Sequence, residues 1–147
     1  METYKPSANL PLAIMVDIDG TLAHAVDRSP FEWHKVGQDS ADETVVQVVT
    51  MYAAYVHRYK IIIMSGRDSV CRKETEDWLD LYDIPYDHLY MRAESDNRKD
   101  SIVKRELFDK HIRDKFNIKL VLDDRNQVVD MWRDLGLKVF QVAPGDF

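Results

Sequence analysis

Cysteine is almost missing from this chain. Cys71 stands alone among 147 residues, so no internal disulfide can form. With no Cys or His partner at zinc-finger spacing, a thiolate metal site is excluded as well. Long apolar runs are missing too: none approaches the ~20 residues needed to cross a bilayer. The opening Met1-Glu2-Thr3-Tyr4-Lys5 lacks the basic-then-apolar pattern of a secretory leader. A chain that stays in the cytoplasm, with no membrane partner, is expected. There is no internal repeat, no low-complexity tract and no G-x-x-x-x-G-K-[ST] loop, which excludes an ATP-using domain of that type. A basic surplus is also lacking. The formal charge is −6, the opposite of a protein that grips nucleic acid through a broad basic surface. Carboxylates gathered around a divalent cation are neutralised in use, however, so this sign still allows an anionic substrate met by a small cluster of arginines.

What is present fits one folded, water-soluble domain: 45% apolar and 31% charged residues in a length that buries a single core. Residues 1–11 read as a tail and 12–147 as the domain. Five short runs rich in Val, Ile and Leu, at 12–16, 60–64, 88–91, 120–122 and 138–142, read as strands. The first, second and fourth are nearly continuous in apolar character, as strands buried on both faces of a parallel sheet must be. Helical patterns lie between them. Ser40-Ala-Asp-Glu43 reads as a capping box, opening a helix with Val45, Val48, Val49, Tyr52 and Val56 on one stripe. Residues 68–82, 98–116 and 126–135 are the other helical stretches, the last stopped by Gly136 in the position of a left-handed cap. Such alternation predicts an α/β fold with a doubly wound, five-stranded parallel sheet, whose ligands sit at the carboxyl ends of the strands. The long irregular stretch 22–39 carries Arg28, Pro30, Phe31, Trp33 and His34 and is expected to form a flap over that end.

The strand ends carry the chemistry. After the first strand comes Asp17-Ile18-Asp19-Gly20-Thr21, two carboxylates two residues apart; a calcium-type loop or a plain turn is the bland alternative. The second strand ends in Ser65-Gly66-Arg67, a small hydroxyl and an arginine fork suited to phosphate oxygens. Lys99 lies near the start of the helix that leads to the fourth strand, where its ammonium and the helix dipole can neutralise the same anion. The fourth strand ends in Asp123-Asp124. Adjacent acids after a buried strand are costly unless compensated, and a magnesium ion is the simplest compensation.

Taken in order, Asp17-x-Asp19-Gly-Thr21, Ser65, Lys99 and Asp123-Asp124 resemble the four motifs of the haloacid dehalogenase superfamily. From about Leu12 to Phe147 the chain resembles more closely the 3′-phosphatase domain of bacteriophage polynucleotide kinase-phosphatases, through D-G-T-L-A, S-G-R, R-K-D, D-D-R-x-Q-V-V-x-M-W and the closing G-D-F. The resemblance implies a Rossmann-like sheet with a small flap and no large cap. It implies Asp17 as nucleophile, Asp19 as acid and base, and Arg28 and Arg67 as ligands of the substrate phosphate, with Thr21, Ser65 and Gly66 in the same binding set. Lys99 becomes a charge neutraliser that also touches substrate, and Asp123 and Asp124 become metal-side acids, with Asp96 near the third motif. Two departures stand out: no kinase half accompanies the match, so 5′-end activity is not expected, and the stretch between Ser65 and Lys99 is shorter, which bears on the rim that selects substrates.

The mechanism this implies uses Mg²⁺ bridging Asp17, the backbone carbonyl of Asp19, and Asp124, and proceeds through an aspartyl-phosphate. The expected substrates are 3′-phosphate ends of DNA or RNA, 2′,3′-cyclic phosphate ends, or 3′-nucleotides, with a separate kinase or ligase as the class of partner left open. A phosphatase for a nucleotide or sugar phosphate is the alternative within enzymes. It calls for an enclosing lid, and only about forty residues separate the first two motifs. A catalytically silent binding module would have lost a nucleophile or metal acid, and every such position is filled.

Overall fold

A strand that is apolar at odd and even positions alike must bury both faces, because successive side chains point to opposite sides. That requirement organises the molecule. The computed structural model describes residues 2–147. In chain order the elements are β1 (Leu12–Val16), β2 (Ala23–His24), β3 (Ser40–Ala41), α1 (Glu43–Ala54), β4 (Lys60–Asp68), α2 (Arg72–Leu81), β5 (His88–Arg92), α3 (Asp100–His111), β6 (Asn117–Asp123), α4 (Asn126–Asp134) and β7 (Val139–Gln141), with 3₁₀ turns at Trp33–Gln38 and Ser69–Cys71. Five strands form one sheet in the order β5-β4-β1-β6-β7, every pairing parallel. Ile14, Val16, Ile61 and Ile63 meet Val45, Val49, Trp78 and Leu79 of α1 and α2 in one core. Ala13, Met15, Ile62 and Met64 meet Phe108, Val128 and Trp132 of α3 and α4 in the other. The fold is thus the doubly wound α/β sheet expected. No helix among the described residues is long and apolar enough to cross a membrane.

The chain runs outward from β1 through β4 to β5 and then returns to β6 on the opposite side of β1. The carboxyl end of β1 is therefore the point where strand order reverses, and a crevice opens there by construction. Among the described residues no large cap covers it. Between β1 and α1 lie only the two-stranded ribbon of β2 and β3, the antiparallel pairs Ala23↔Ala41 and His24↔Ser40, and the 3₁₀ turn.

Several boundaries differ from expectation. Asp42, not Ser40, caps α1, its side chain accepting from the Val45 amide, because Ser40 is drawn into the ribbon. The helix ends at Ala54, leaving Val56 exposed instead of on the buried stripe. Residues 68–82 split into a 3₁₀ turn and α2, with Asp68 accepting from the Val70 amide. α3 spans Asp100–His111, shorter than 98–116 at both ends, with Lys99 at its cap position. β4 runs on through Asp68: its register against β5 shifts between Ser65 and Asp68, a bulge that keeps Gly66 and Arg67 within the strand. Such bulges re-aim side chains beside active sites.

Candidate active site

Two clusters of charge meet at the end of β1. Asp17 continues the pairing of β1, its amide donating to the Leu122 carbonyl at 2.9 Å. Asp123 ends β6, and Asp124 follows it. Carboxylate oxygens of Asp17, Asp123 and Asp124 lie within 4.8 Å of one another, all three residues buried. Lys104 enters from α3: its Nζ is 2.9 Å from Asp17 Oδ1 and 3.0 Å from Asp123 Oδ2, with Asp100 Oδ2 at 3.7 Å. Thr21 Oγ1 reaches Asp17 at 3.3 Å and Asp124 at 3.4 Å. The other Asp123 oxygen, Oδ1, accepts from the amides of Asp124 and Arg125, which fixes that carboxylate.

Burial pushes the Asp17 carboxyl well above the ordinary range, Asp123 adds to the shift, and Lys104 opposes it. Burial raises Asp124 as well. For Lys104, burial works against the charge, yet Asp100, Asp123 and Asp17 outweigh it and the ammonium is held well above its usual range. Three carboxylates facing one ammonium leave an excess of negative charge that only protons or a cation can relieve. The donor set is all oxygen, as a hard divalent ion requires. Gly20, at φ +81°, keeps the space beside the cluster free: a Cβ there would lie 2.1 Å from Asp124 Oδ2. The residues present therefore fit a magnesium-type ion.

The second cluster holds Asp19. Its carboxylate receives Arg67 Nη2 at 2.8 Å and Nε at 3.1 Å, and Arg28 Nη2 at 3.2 Å. Both arginines also clamp Asp39, Arg28 through Nε and Nη2 at 2.8 Å each and Arg67 through Nη2 at 2.9 Å. Asp39 is held in turn: Trp78 Nε1 of α2 donates to its carbonyl at 2.8 Å. Arg67 Nη1 donates to Thr75. The outcome is unequal burial. The side chains of Arg67 and Asp39 are fully buried, whereas that of Asp19 is 45% exposed to the cleft.

Several sequence-predicted residues thus take places other than those expected. Lys99 is exposed at the cleft wall and makes no ion pair among the described residues, while Lys104, one turn further along α3, carries the charge against Asp17. The reason is helical period: Asp100, Val103, Lys104 and Phe108 form the buried stripe of α3. A lysine on that stripe is the signal that would have singled it out. Arg28 and Arg67 line the cleft, but their donors go to carboxylates, so in this structure they orient Asp19. Ser65 is buried, its Oγ accepting from the Arg67 amide at 3.1 Å. Gly66 leaves room for Asp100, whose Oδ1 would lie 2.2 Å from a Cβ. Thr21 ties two acids together. The Asp19 carboxylate stays with the arginines, outside the three-acid cluster. Asp96 sits at the mouth, paired with Arg98 at 2.9 Å. Asp39, Asp100 and Lys104 were not foreseen; for Asp39, inside an irregular loop, no periodicity existed to reveal it.

Both clusters open into one cleft of about 900 Å³, whose walls include Phe31 and Trp33 from the flap, Arg98 and Lys99, and Arg125 and Phe147.

Known proteins resemble the chain along nearly its whole length. A viral protein of Autographa californica nuclear polyhedrosis virus, named as a bifunctional polynucleotide kinase/RNA ligase, is 40% identical over 146 residues, covering 97% of this chain and 21% of that protein. A solved structure of a Pnkp1/Rnl/Hen1 complex contains a chain 44% identical, with a TM-score of 0.93 over 99% of this chain and 50% of that one. A second, of the Pnkp1/Rnl/Hen1 RNA repair complex, matches at 44% identity and a TM-score of 0.94, covering 47% of its chain. The chain therefore spans half or less of these relatives. Residues 11–147 match the family described as the polynucleotide kinase PNKP phosphatase domain. The chain belongs to that phosphatase-domain family and is a phosphoric monoester hydrolase.

Proposed function

We propose that the chain removes the phosphate from 3′-phosphate ends of DNA or RNA, with Mg²⁺ as cofactor and Asp17 as nucleophile. The observation that carries this reading is the pairing of the two clusters: a buried acid triad with Lys104, beside one exposed, arginine-held carboxylate, in a cleft that no cap encloses. An uncapped site admits the end of a polymer, and the relatives named for polynucleotide kinase, RNA ligase and RNA repair favour such ends over sugar phosphates. They also favour a kinase or ligase activity working alongside.

Asp17, Asp123 and Asp124, with the backbone carbonyl of Asp19, would hold the Mg²⁺, whose charge offsets the repulsion between an anionic carboxylate and an anionic phosphate. Lys104 does the same from the protein side and opposes the upward pull of burial and Asp123 on the Asp17 carboxyl. Asp17 attacks phosphorus, and the bond from phosphorus to the 3′ oxygen breaks as that leaving oxygen takes a proton that Asp19, open to the cleft, has first picked up from water. The aspartyl-phosphate of Asp17 then meets water. Asp19, now a carboxylate, takes the water proton, the acyl-phosphate bond breaks at phosphorus, and inorganic phosphate leaves with Asp17 restored. Asp39 and the two arginines hold Asp19 in position for both transfers.

The test is a panel measured with and without Mg²⁺: one oligonucleotide carrying a 3′-phosphate, a 5′-phosphate or a 2′,3′-cyclic phosphate, as DNA and as RNA, together with 3′-nucleotides and sugar phosphates. The expected result is the highest kcat/KM on 3′-phosphate ends and loss of turnover in chelator. Equal or better rates on the 5′-phosphate or a sugar phosphate would overturn the substrate while leaving the aspartate chemistry in place.

A further inference from the structure

Nearly every basic side chain of the cleft is already matched within the protein. Arg28 and Arg67 go to Asp19 and Asp39. His24 meets Asp42 at 2.9 Å, and Arg98 meets Asp96 at 2.9 Å and Glu106 at 2.7 Å. Arg92 donates to the Gly66 and Asp96 carbonyls at 2.8 and 3.0 Å, and Arg125 to the Phe147 carbonyl at 2.8 Å. Lys99 is the exception. It lines the cleft, is exposed, and among the described residues its ammonium has neither an ion pair nor a hydrogen bond. An unpaired lysine on an open surface is ordinary. In a chain with 26 acidic and 20 basic residues, one left unmatched on the wall of the reaction cleft, where every other cation is taken, fits an anion that arrives from outside.

Its place in the fold says which anion. The backbone of Lys99 is fixed at the start of α3, its carbonyl accepting from the Ile102 and Val103 amides at 3.0 and 3.1 Å. The next residue, Asp100, is buried with Oδ2 3.7 Å from Lys104 Nζ, and Lys104 in turn holds Asp17. Lys99 therefore stands at the rim, beside the reacting centre but outside its buried cluster, whose facing cation is Lys104. On its far side the cleft continues into a shallow groove between α3 and α4. Glu106, Asp130 and Asp134 line that groove, and its one arginine, Arg105, is paired with Asp109 at 3.1 Å. An anionic strand meets one free cation at the rim and repulsion beyond it.

We infer that Lys99 binds the phosphodiester that joins the 3′-terminal nucleoside to its neighbour, one nucleotide upstream of the phosphate that is removed. This rests on the polynucleotide reading above and adds to it the group that tells a strand end from a lone 3′-nucleotide. A flexible lysine meets a phosphodiester as a point charge and reads no base, so it positions any strand alike. The contact is made before and during the reaction, so its loss raises KM more than it lowers kcat.

The experiment uses a thymidine dinucleotide carrying a 3′-phosphate, with its internal linkage either a phosphodiester or an uncharged methylphosphonate. Wild type, K99M and K99R are compared on both, with K110M as a variant that loses the same charge at an exposed site away from the cleft. Wild type is expected to show a KM about fivefold higher on the neutral linkage, the size of one exposed ion pair. K99M should raise KM about fivefold on the charged linkage and by less than about 1.5-fold on the neutral one, so that the two losses do not add. K99R should restore most of the wild-type KM, and K110M should leave it unchanged. On the charged linkage, raising the salt should weaken wild type more steeply than K99M, by roughly 0.7 in the log–log slope, the share of one phosphate contact. Equal loss of K99M on both linkages would mean that Lys99 meets the 3′-phosphate itself, no loss on either that the strand leaves by another wall, and an equal loss in K110M that net charge alone is at work. Each of these overturns the contact and leaves the substrate assignment standing. Absence of wild-type turnover on both dinucleotides, with turnover retained on a sugar phosphate, would instead overturn the polynucleotide reading.

Discussion

The two charge clusters at the end of β1 share a strand and a cleft, yet they are built on opposite plans. Around Lys104 three buried acids face one ammonium, and the surplus of negative charge calls for a divalent cation. Around Asp39 two arginines face two acids, the charges balance within the protein, and only Asp19 reaches solvent. Two aspartates separated by one residue therefore meet different surroundings. Asp17 sits where its charge depends on added cations, which suits the nucleophilic role proposed for it. Asp19 is oriented by a closed network and left partly hydrated, which suits the proton-transfer role proposed for it.

Breaking the acid side at its centre should have the largest effect. Asp17→Asn keeps the shape and removes the proposed nucleophile and metal ligand, so turnover of p-nitrophenyl phosphate should fall by on the order of 10³-fold or more with an unchanged circular dichroism spectrum. Retention of a tenth of wild-type activity would show that another group attacks. Lys104 and Lys99 separate next. Lys104→Met should lower kcat by about 10²–10³-fold and destabilise the fold by about 3–5 kcal/mol, since it strands buried carboxylates, with Mg²⁺ restoring part of the lost melting temperature. Lys99→Met, at an exposed position, should change both far less; the reverse order would return the neutralising role to Lys99.

On the arginine side the key change leaves every catalytic group in place. Asp39→Asn removes the charge that both arginines share, so Asp19 loses its fixed orientation, and kcat should fall about 10²-fold, the cost of a misplacement near 1 Å. A wild-type kcat in a folded Asp39→Asn protein would show that Arg67 and Arg28 hold Asp19 without it. The smallest expected effect lies in the flap. Hydrogen bonds from Lys35 and from the Ser29 amide hold Glu32 at a pKa of about 2, below its ordinary 4.5. A depressed acid contributes its stabilisation fully above the unfolded value and loses it as pH falls through the folded one, so the flap turn should loosen only on acidification from about 4.5 toward 2. An NMR titration of the Glu32 carboxyl follows this directly, and a midpoint near 4.5 would mean that the turn is not braced.

The sheet was legible in the chain because burial on both faces forces Leu12–Val16 and Ile61–Met64 to be apolar at every position, a local pattern with one structural meaning. Asp17, Asp19, Asp123 and Asp124 were legible for the same reason: they follow those runs directly, so placing the strands places them. What the chain could not show by itself was which distant groups converge on them. Lys104 reaches Asp17 across 87 positions of sequence and Arg67 reaches Asp19 across 48, distances that only the crossovers of a closed sheet bring to bonding range. Asp39 lies in an irregular loop, where no periodicity marks a buried face, and its role exists only once α2 and the β4 bulge bring Trp78 and Arg67 against it. Sequence order determined the carboxylates at the strand ends, since strand ends are local; tertiary packing decided their electrostatic surroundings and orientation, since those depend on neighbours supplied by other elements.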